Sequence, residues 1–212
     1  MSRPASYVDI GWNPVTGCSK GCPNCWARGF APRLAGNPAV KHRERYEGFK
    51  PTCWPERLDE PLKWKKPRRV AVAFMADLFD PGIPASFIDR VFAVMAAAPR
   101  HTFLLLTKRP DRMAQYKERR GKPLSNVWRG TSVLTQADAD KRIPDLLACP
   151  AAVHWVSYEP AIEYVTFTKV ICETAGCGWT GDVGDLACDV DECGALDTCC
   201  PRCAGAKVYD RL

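Results

Sequence analysis

The chain has 212 residues, 46% of them hydrophobic, which is enough to bury a core and excludes a disordered segment. Twelve cysteines would mark a disulfide scaffold in a short secreted protein, but "MSRPASYVDIGW" lacks the apolar stretch of a signal peptide, and no apolar run reaches the ~20 residues that span a bilayer. The reading is a cytoplasmic, non-membrane protein in a reducing compartment, where clustered cysteines are metal ligands more often than crosslinks.

In chain order, "YVDI" (7 to 10) reads as the first strand and is followed by a loop with three cysteines and then a helix after Cys25. Residues 31 to 67 have no clean period and read as that helix followed by an irregular excursion. Four apolar, β-rich runs come next: "VAVAFMADLFD" (70 to 80), "TFLLLTKRPDRM" (102 to 113), "VWRGTSVLTQAD" (127 to 138) and "VHWVSYEPAIE" (153 to 163). Each passes into a helical or turn segment, the signature of repeated βα units. Such continuous apolar character fits strands covered on both faces. Helices are expected over 84 to 99, with Phe87, Val91, Val94 and Met95 on one face, over 111 to 121, closed by Gly121, and over 135 to 149, with a break near Pro144.

In βα folds the ligand face lies at the carboxyl ends of the strands. The polar residues placed there are Cys18, Cys22, Cys25, Asp77, Asp80, Thr107, Lys108, Arg109, Thr131, Ser132, Ser157 and Glu159. Lys108, Ser132 and Glu159 are expected to share a cavity with the cysteines and to hold a charged cofactor.

Cys18, Cys22 and Cys25 have the spacing C-x3-C-x2-C. Three thiolates from one loop hold three irons of a [4Fe–4S] cube and leave the fourth open, whereas structural zinc needs a fourth protein ligand. His42 and Cys53 stand as distant candidates for that ligand, so zinc remains an alternative.

That spacing resembles the radical SAM superfamily, in which the open iron binds S-adenosylmethionine. More closely, "WNPVTGC", "GCPNCWA", "FMADLFD", "HTFLLLTKRPDRM", "NVWRGTSV" and "VHWVSYEP", in order through residues 10 to 165, resemble the phage Gp37/Gp68 family of radical-SAM-like proteins. The resemblance implies an α/β fold, a partial (β/α) barrel of the radical SAM type, over residues 1–169. It implies a [4Fe–4S] cluster on Cys18, Cys22 and Cys25, S-adenosylmethionine as cofactor, and a host cytoplasm if the protein is phage-encoded. Two features depart from the pattern: Asn24 precedes the third cysteine where an aromatic is common, with the aromatic displaced to Trp26, and the gap between the first two cysteines is shorter than in many family members. Strands like "WVIVGGESG" and "FFFKQWG" that follow in family members have no counterpart, so the chain reads either as a shortened version with an open partial barrel or as one piece of a split protein. A partner protein, second chain or dimer is expected to cover the strand edge beside "VHWVSY".

Residues 170–212 read as a Cys-rich, zinc-ribbon-like knuckle. "CETAGCG" and "CCPRC" pair thiolates on tight turns, giving Cys172, Cys177, Cys200 and Cys203 as zinc ligands, with Cys188 and Cys193 as a further pair for exchange or a second metal. An auxiliary iron–sulfur cluster is the alternative. This segment holds three Lys/Arg against eight Asp/Glu, while the rest of the chain carries a net +11 concentrated in "KHRER", "KWKKPRR" and "KERRGK". That field suits a solvated basic surface or, alternatively, the binding of a nucleic acid or another polyanion. Two functions follow: a radical enzyme acting on an unnamed substrate, a macromolecule among the candidates, or a non-enzymatic, zinc-stabilised nucleic-acid-binding or interaction protein.

Overall fold

In the computed structural model, residues 7–116 and 122–166 are described with their side chains, and five short strands between residues 169 and 209 by their backbone. The chain divides into two compact units, Met1–Glu163 and Tyr164–Leu212. The first begins with β1 (Ile10–Trp12), β2 (Val15–Thr16), α1 (Trp26–Ala35), β3 (Thr52–Cys53) and the one-turn α2 (Glu60–Lys63). It continues through β4 (Arg69–Val72), α3 (Ala85–Ala97), β5 (Thr102–Thr107), α4 (Pro110–Gln115), β6 (Val127–Val133), α5 (Gln136–Leu147) and β7 (Val153–Tyr158).

Five of these strands form one parallel sheet in the order β1-β4-β5-β6-β7. The order never reverses, so right-handed crossovers place the connecting helices on a single face. The core bears this out. Val70, Val72, Phe103 and Leu105 alternate along β4 and β5 and pack with Val91 and Met95 of α3, Met113 of α4 and Leu146 of α5. The intervening Ala71 and Leu104 point the other way and meet Val8, Tyr7, Phe74, Trp128 and Trp155. Strands covered on both faces are why these runs lack polar alternation. On the second face Gly130 of β6 lies under Trp155, and an added Cβ would stand 2.4 Å from that ring.

Four expected elements differ in detail. The first strand starts three residues late, at Ile10, because Trp12 is the side chain that anchors it. Trp12 is fully buried against Phe103 and its indole donates to Arg57 O at 2.8 Å, while Tyr7 turns to Trp155 instead. Helix α4 ends at Gln115 rather than near Gly121, since Tyr116 leaves helical geometry to bond Asp89 and pack on Phe79 and Phe92. Helix α5 continues through Pro144 without the expected break. The face of α3 is broader than expected, with Ile88 and Phe92 buried too.

In the second unit β8 (Lys169–Cys172) pairs antiparallel with β9 (Thr180–Asp182) and β12 (Val208–Tyr209). β10 (Ala187–Val190) and β11 (Leu196–Cys199) form an antiparallel pair of their own. Cys177, Cys193, Cys200 and Cys203, and the side chains of Cys172 and Cys188, lie outside the described residues, and with them the ligand set expected of the tail. No helix among the described residues is long and apolar enough to cross a membrane.

Candidate functional site

The cysteine loop leaves β2 and enters α1. Gly17 sits at its start with φ of +77°, a conformation that side chains resist, and an added Cβ would lie 2.0 Å from Lys50 O. Only glycine lets the loop pass this close. Gly17 N donates to Met75 O at 3.0 Å and Cys18 N to Phe49 O at 3.1 Å, so the loop is stitched both to the segment after β4 and to the 3-10 segment Arg43–Phe49. At its other end Cys25 caps α1, its sulfur accepting from Arg28 N at 3.4 Å.

All three cysteines line one cavity of about 790 Å³, a size that accommodates a cofactor. Its wall is supplied by the carboxyl ends of successive strands: Asp77 beyond β4, Thr107 and Lys108 at the end of β5, Ser132 of β6, and Ser157 and Glu159 at the end of β7. Tyr7, Trp26, Phe49, Phe74, Met75, Leu106 and Ile162 add apolar and aromatic surface.

Each thiol is met by N–H donors. Cys18 Sγ accepts from Lys20 N at 3.4 Å and Arg109 Nη1 at 3.6 Å, and Lys108 Nζ stands 3.9 Å from Cys22 Sγ. Consecutive residues of the β5 exit therefore address two different cysteines. Burial pushes the Cys18 thiol up, opposed by the Lys20 amide and the Arg109 guanidinium.

Behind the loop lies an ionic clamp. Asp80, fully buried, accepts from Ser19 N at 2.9 Å, Ser19 Oγ at 2.8 Å, Gly82 N at 2.9 Å and Arg109 Nη2 at 3.1 Å, and Cys18 Sγ donates to it at 3.5 Å. Burial acts most strongly and pushes its carboxyl up, but the donors from Gly82, Ser19 and Arg109 together outweigh it and hold the group below the usual carboxylate range. Asp77 accepts from Thr107 Oγ1 at 2.7 Å, Lys108 N at 3.1 Å and Arg109 Nη1 at 3.2 Å. Arg109 thus bridges two aspartates and the first cysteine. Cations gather at the cavity as well: Lys20 Nζ donates to Lys108 O at 2.9 Å, and its ammonium is pushed down by desolvation and by the nearby guanidiniums of Arg142 and Arg109.

Of the residues placed at strand ends from sequence, Cys18, Cys22, Cys25, Asp77, Thr107, Lys108, Ser132, Ser157 and Glu159 line the cavity together. Asp80 and Arg109 stand behind it. Thr131 spends its hydroxyl on Thr107 O at 2.9 Å. His42 and Cys53 are not among the lining residues; His42 instead meets Trp54 edge-on. Among the described residues, no three His, Cys, Asp or Glu side chains converge closely enough to hold a single metal ion. Sequence reasoning missed Lys20, Arg142 and the aromatic wall. Lys20 was discoverable from its place between two cysteines; the others reach the site only through the fold.

A family model described as a protein of unknown function (DUF5131) matches residues 3–186. None of the curated proteins and none of the solved structures matches.

Proposed function

The chain belongs to the DUF5131 family, and from its own cavity we propose that it is an iron–sulfur, S-adenosylmethionine-dependent radical enzyme of the Gp37/Gp68 type on a partial (β/α) barrel. The observation that carries this reading is the placement of Cys18, Cys22 and Cys25 around one cavity with Lys108, Ser132 and Glu159. Three thiols from one loop on one cavity suit three irons of a [4Fe–4S] cube and leave the fourth open, whereas a structural zinc needs a fourth protein ligand. The donors at each sulfur suit an anionic, sulfur-rich group, since N–H contacts of this kind tune such clusters. Cys18 would lose its proton on binding iron, as metal ligation by a thiol requires. The monotone parallel sheet supports the barrel, and β7 at its end is where a partner protein or second chain would complete it.

Held by Cys18, Cys22 and Cys25, a [4Fe–4S] cluster would supply one-electron chemistry for the reductive cleavage of S-adenosylmethionine. The protein's part is to hold, aim and shield. Lys108 offers an ammonium to the carboxylate of a zwitterionic ligand, Glu159 a carboxylate to its amino group, and Ser132 a hydroxyl between them. The aromatic wall keeps water away. In the tail, Cys172, Cys177, Cys200 and Cys203 would hold zinc, with Cys188 and Cys193 in reserve.

Anaerobic reconstitution with iron and sulfide tests the proposal. A brown protein with about four irons per chain, lost in the Cys18/Cys22/Cys25→Ala variant, and 5′-deoxyadenosine formed from S-adenosylmethionine under dithionite, are expected. Zinc alone at this site would sink it in favour of a non-enzymatic, zinc-stabilised nucleic-acid-binding protein.

A further inference from the structure

Helix α1 is built inside out. Its inward positions are the small Ala27 and Ala31, buried with Tyr46, Phe49 and Trp54, while Trp26 is 61% and Phe30 39% exposed. An amphipathic helix ordinarily buries its large rings. By helical spacing residues 26, 29, 30 and 33 share one face, and between the two rings that face holds Gly29, where an added Cβ would meet nothing within 4 Å. Packing therefore does not call for glycine, which weakens a helix relative to alanine. Its effect is to bare the backbone beside two rings, so that a flat group can lie against it.

Basic residues are frequent in this stretch of the sequence. Arg33 is exposed on that helix face, α1 has no acidic residue, and residues 18 to 50 hold seven Lys/Arg against two Asp/Glu. Trp26 also lines the cavity, where Tyr7, Phe49 and Phe74 carry the aromatic surface inward beside Lys20 and Lys108. Exposed rings flanked by cations are what a single-stranded nucleic acid requires: stacking platforms for bases and positive charge for phosphates. An acidic peptide would use the cations and leave the rings idle, and a duplex keeps its bases stacked away from them.

We infer that the outer face of α1 binds single-stranded nucleic acid, with bases on Trp26 and Phe30, and leads a nucleotide into the cavity as substrate. The substrate role rests on the radical-enzyme reading; the binding surface does not. Fluorescence anisotropy of the full chain tests it, with labelled single-stranded DNA and RNA of about 20 nucleotides, the same sequence as duplex, and polyglutamate, at low and high salt. The single strands should bind best, more weakly as salt rises. Trp26→Ala and Phe30→Ala should each weaken binding about tenfold, Trp26→Phe should recover most of the loss, and Arg33→Ala should reduce the salt slope by about one. Gly29→Leu favours the helix yet fills the bare strip, so it should fold normally by circular dichroism and bind poorly. Duplex or polyglutamate bound as tightly as the single strands, or full affinity in Gly29→Leu and Trp26→Ala, would overturn the inference. Measured separately on the wild type, cluster formation without nucleic-acid binding overturns this inference alone. Binding without a cluster overturns the radical reading alone.

Discussion

Asp80 shows what single residues do for the cysteine loop. It is wholly buried, and its carboxylate ties Ser19, Gly82 and Arg109 together directly beside Cys18. Removing it leaves Arg109 paired with Asp77 alone and strips the Ser19 and Gly82 amides of their acceptor, and each donor so orphaned costs about 1–3 kcal/mol. Asp80→Ala should therefore lower the unfolding free energy by about 3 kcal/mol in a denaturant titration and reduce the iron retained after reconstitution, because Ser19 and Cys18 lose their anchor. Lys108 acts differently, through the sulfur of Cys22 at 3.9 Å. If Cys22 holds the proposed cluster, a cation beside its sulfur would favour the more negative, reduced state, so Lys108→Met should lower the reduction potential in an electron-paramagnetic titration. An unchanged potential would mean that the ammonium does not reach the cluster's field.

At the level of elements, α1 separates stability from binding. Its inner face carries the packing, with Ala31 almost wholly buried in the cluster of Tyr46, Phe49 and Trp54. Ala31→Leu overpacks that cluster and should cost about 1–3 kcal/mol, whereas Phe30→Lys on the outer face should change the unfolding free energy by less than about 0.5 kcal/mol. Equal losses in the two variants would mean the outer rings are structural. Sequence alone showed the strands β5, β6 and β7 well, because each is an apolar run long enough to be covered on both faces. It also grouped Cys18, Cys22, Cys25, Lys108, Ser132 and Glu159 on one cavity, since strand ends fix where loop residues gather. It could not show α1 turned inside out. Periodicity reports that apolar residues recur, and only the fold decides that Ala27 and Ala31, not Trp26 and Phe30, face inward. Pro144 misled in a similar way: local chemistry argues for a break, and α5 runs on through it.

At the scale of the whole molecule, the two units have opposite physical resources. Met1–Glu163 has a continuous core from α3, α4, α5 and the sheet, whereas Tyr164–Leu212 consists, in its described part, of strands two to four residues long in sheets of two and three. Such short strands bury little, and segments near 40–50 residues rarely fold without a metal or disulfides. Seven cysteines from Cys172 to Cys203 are the available staples, and the proposed zinc on four of them would be such a staple. A structural zinc contributes on the order of 10 kcal/mol to folding at neutral pH. Chelation of the full chain should therefore open the second unit while sparing the first: protease cleavage should move to residues after 164, hydrogen exchange should accelerate there, and the helical circular dichroism carried by the first unit should persist. The Cys200/Cys203→Ser variant should reproduce the chelated pattern without chelator. If the tail keeps its exchange protection when stripped of metal, its strands stand on packing alone and the knuckle reading is wrong. If the helical signal collapses along with the tail, the two units fold as one and the metal supports both.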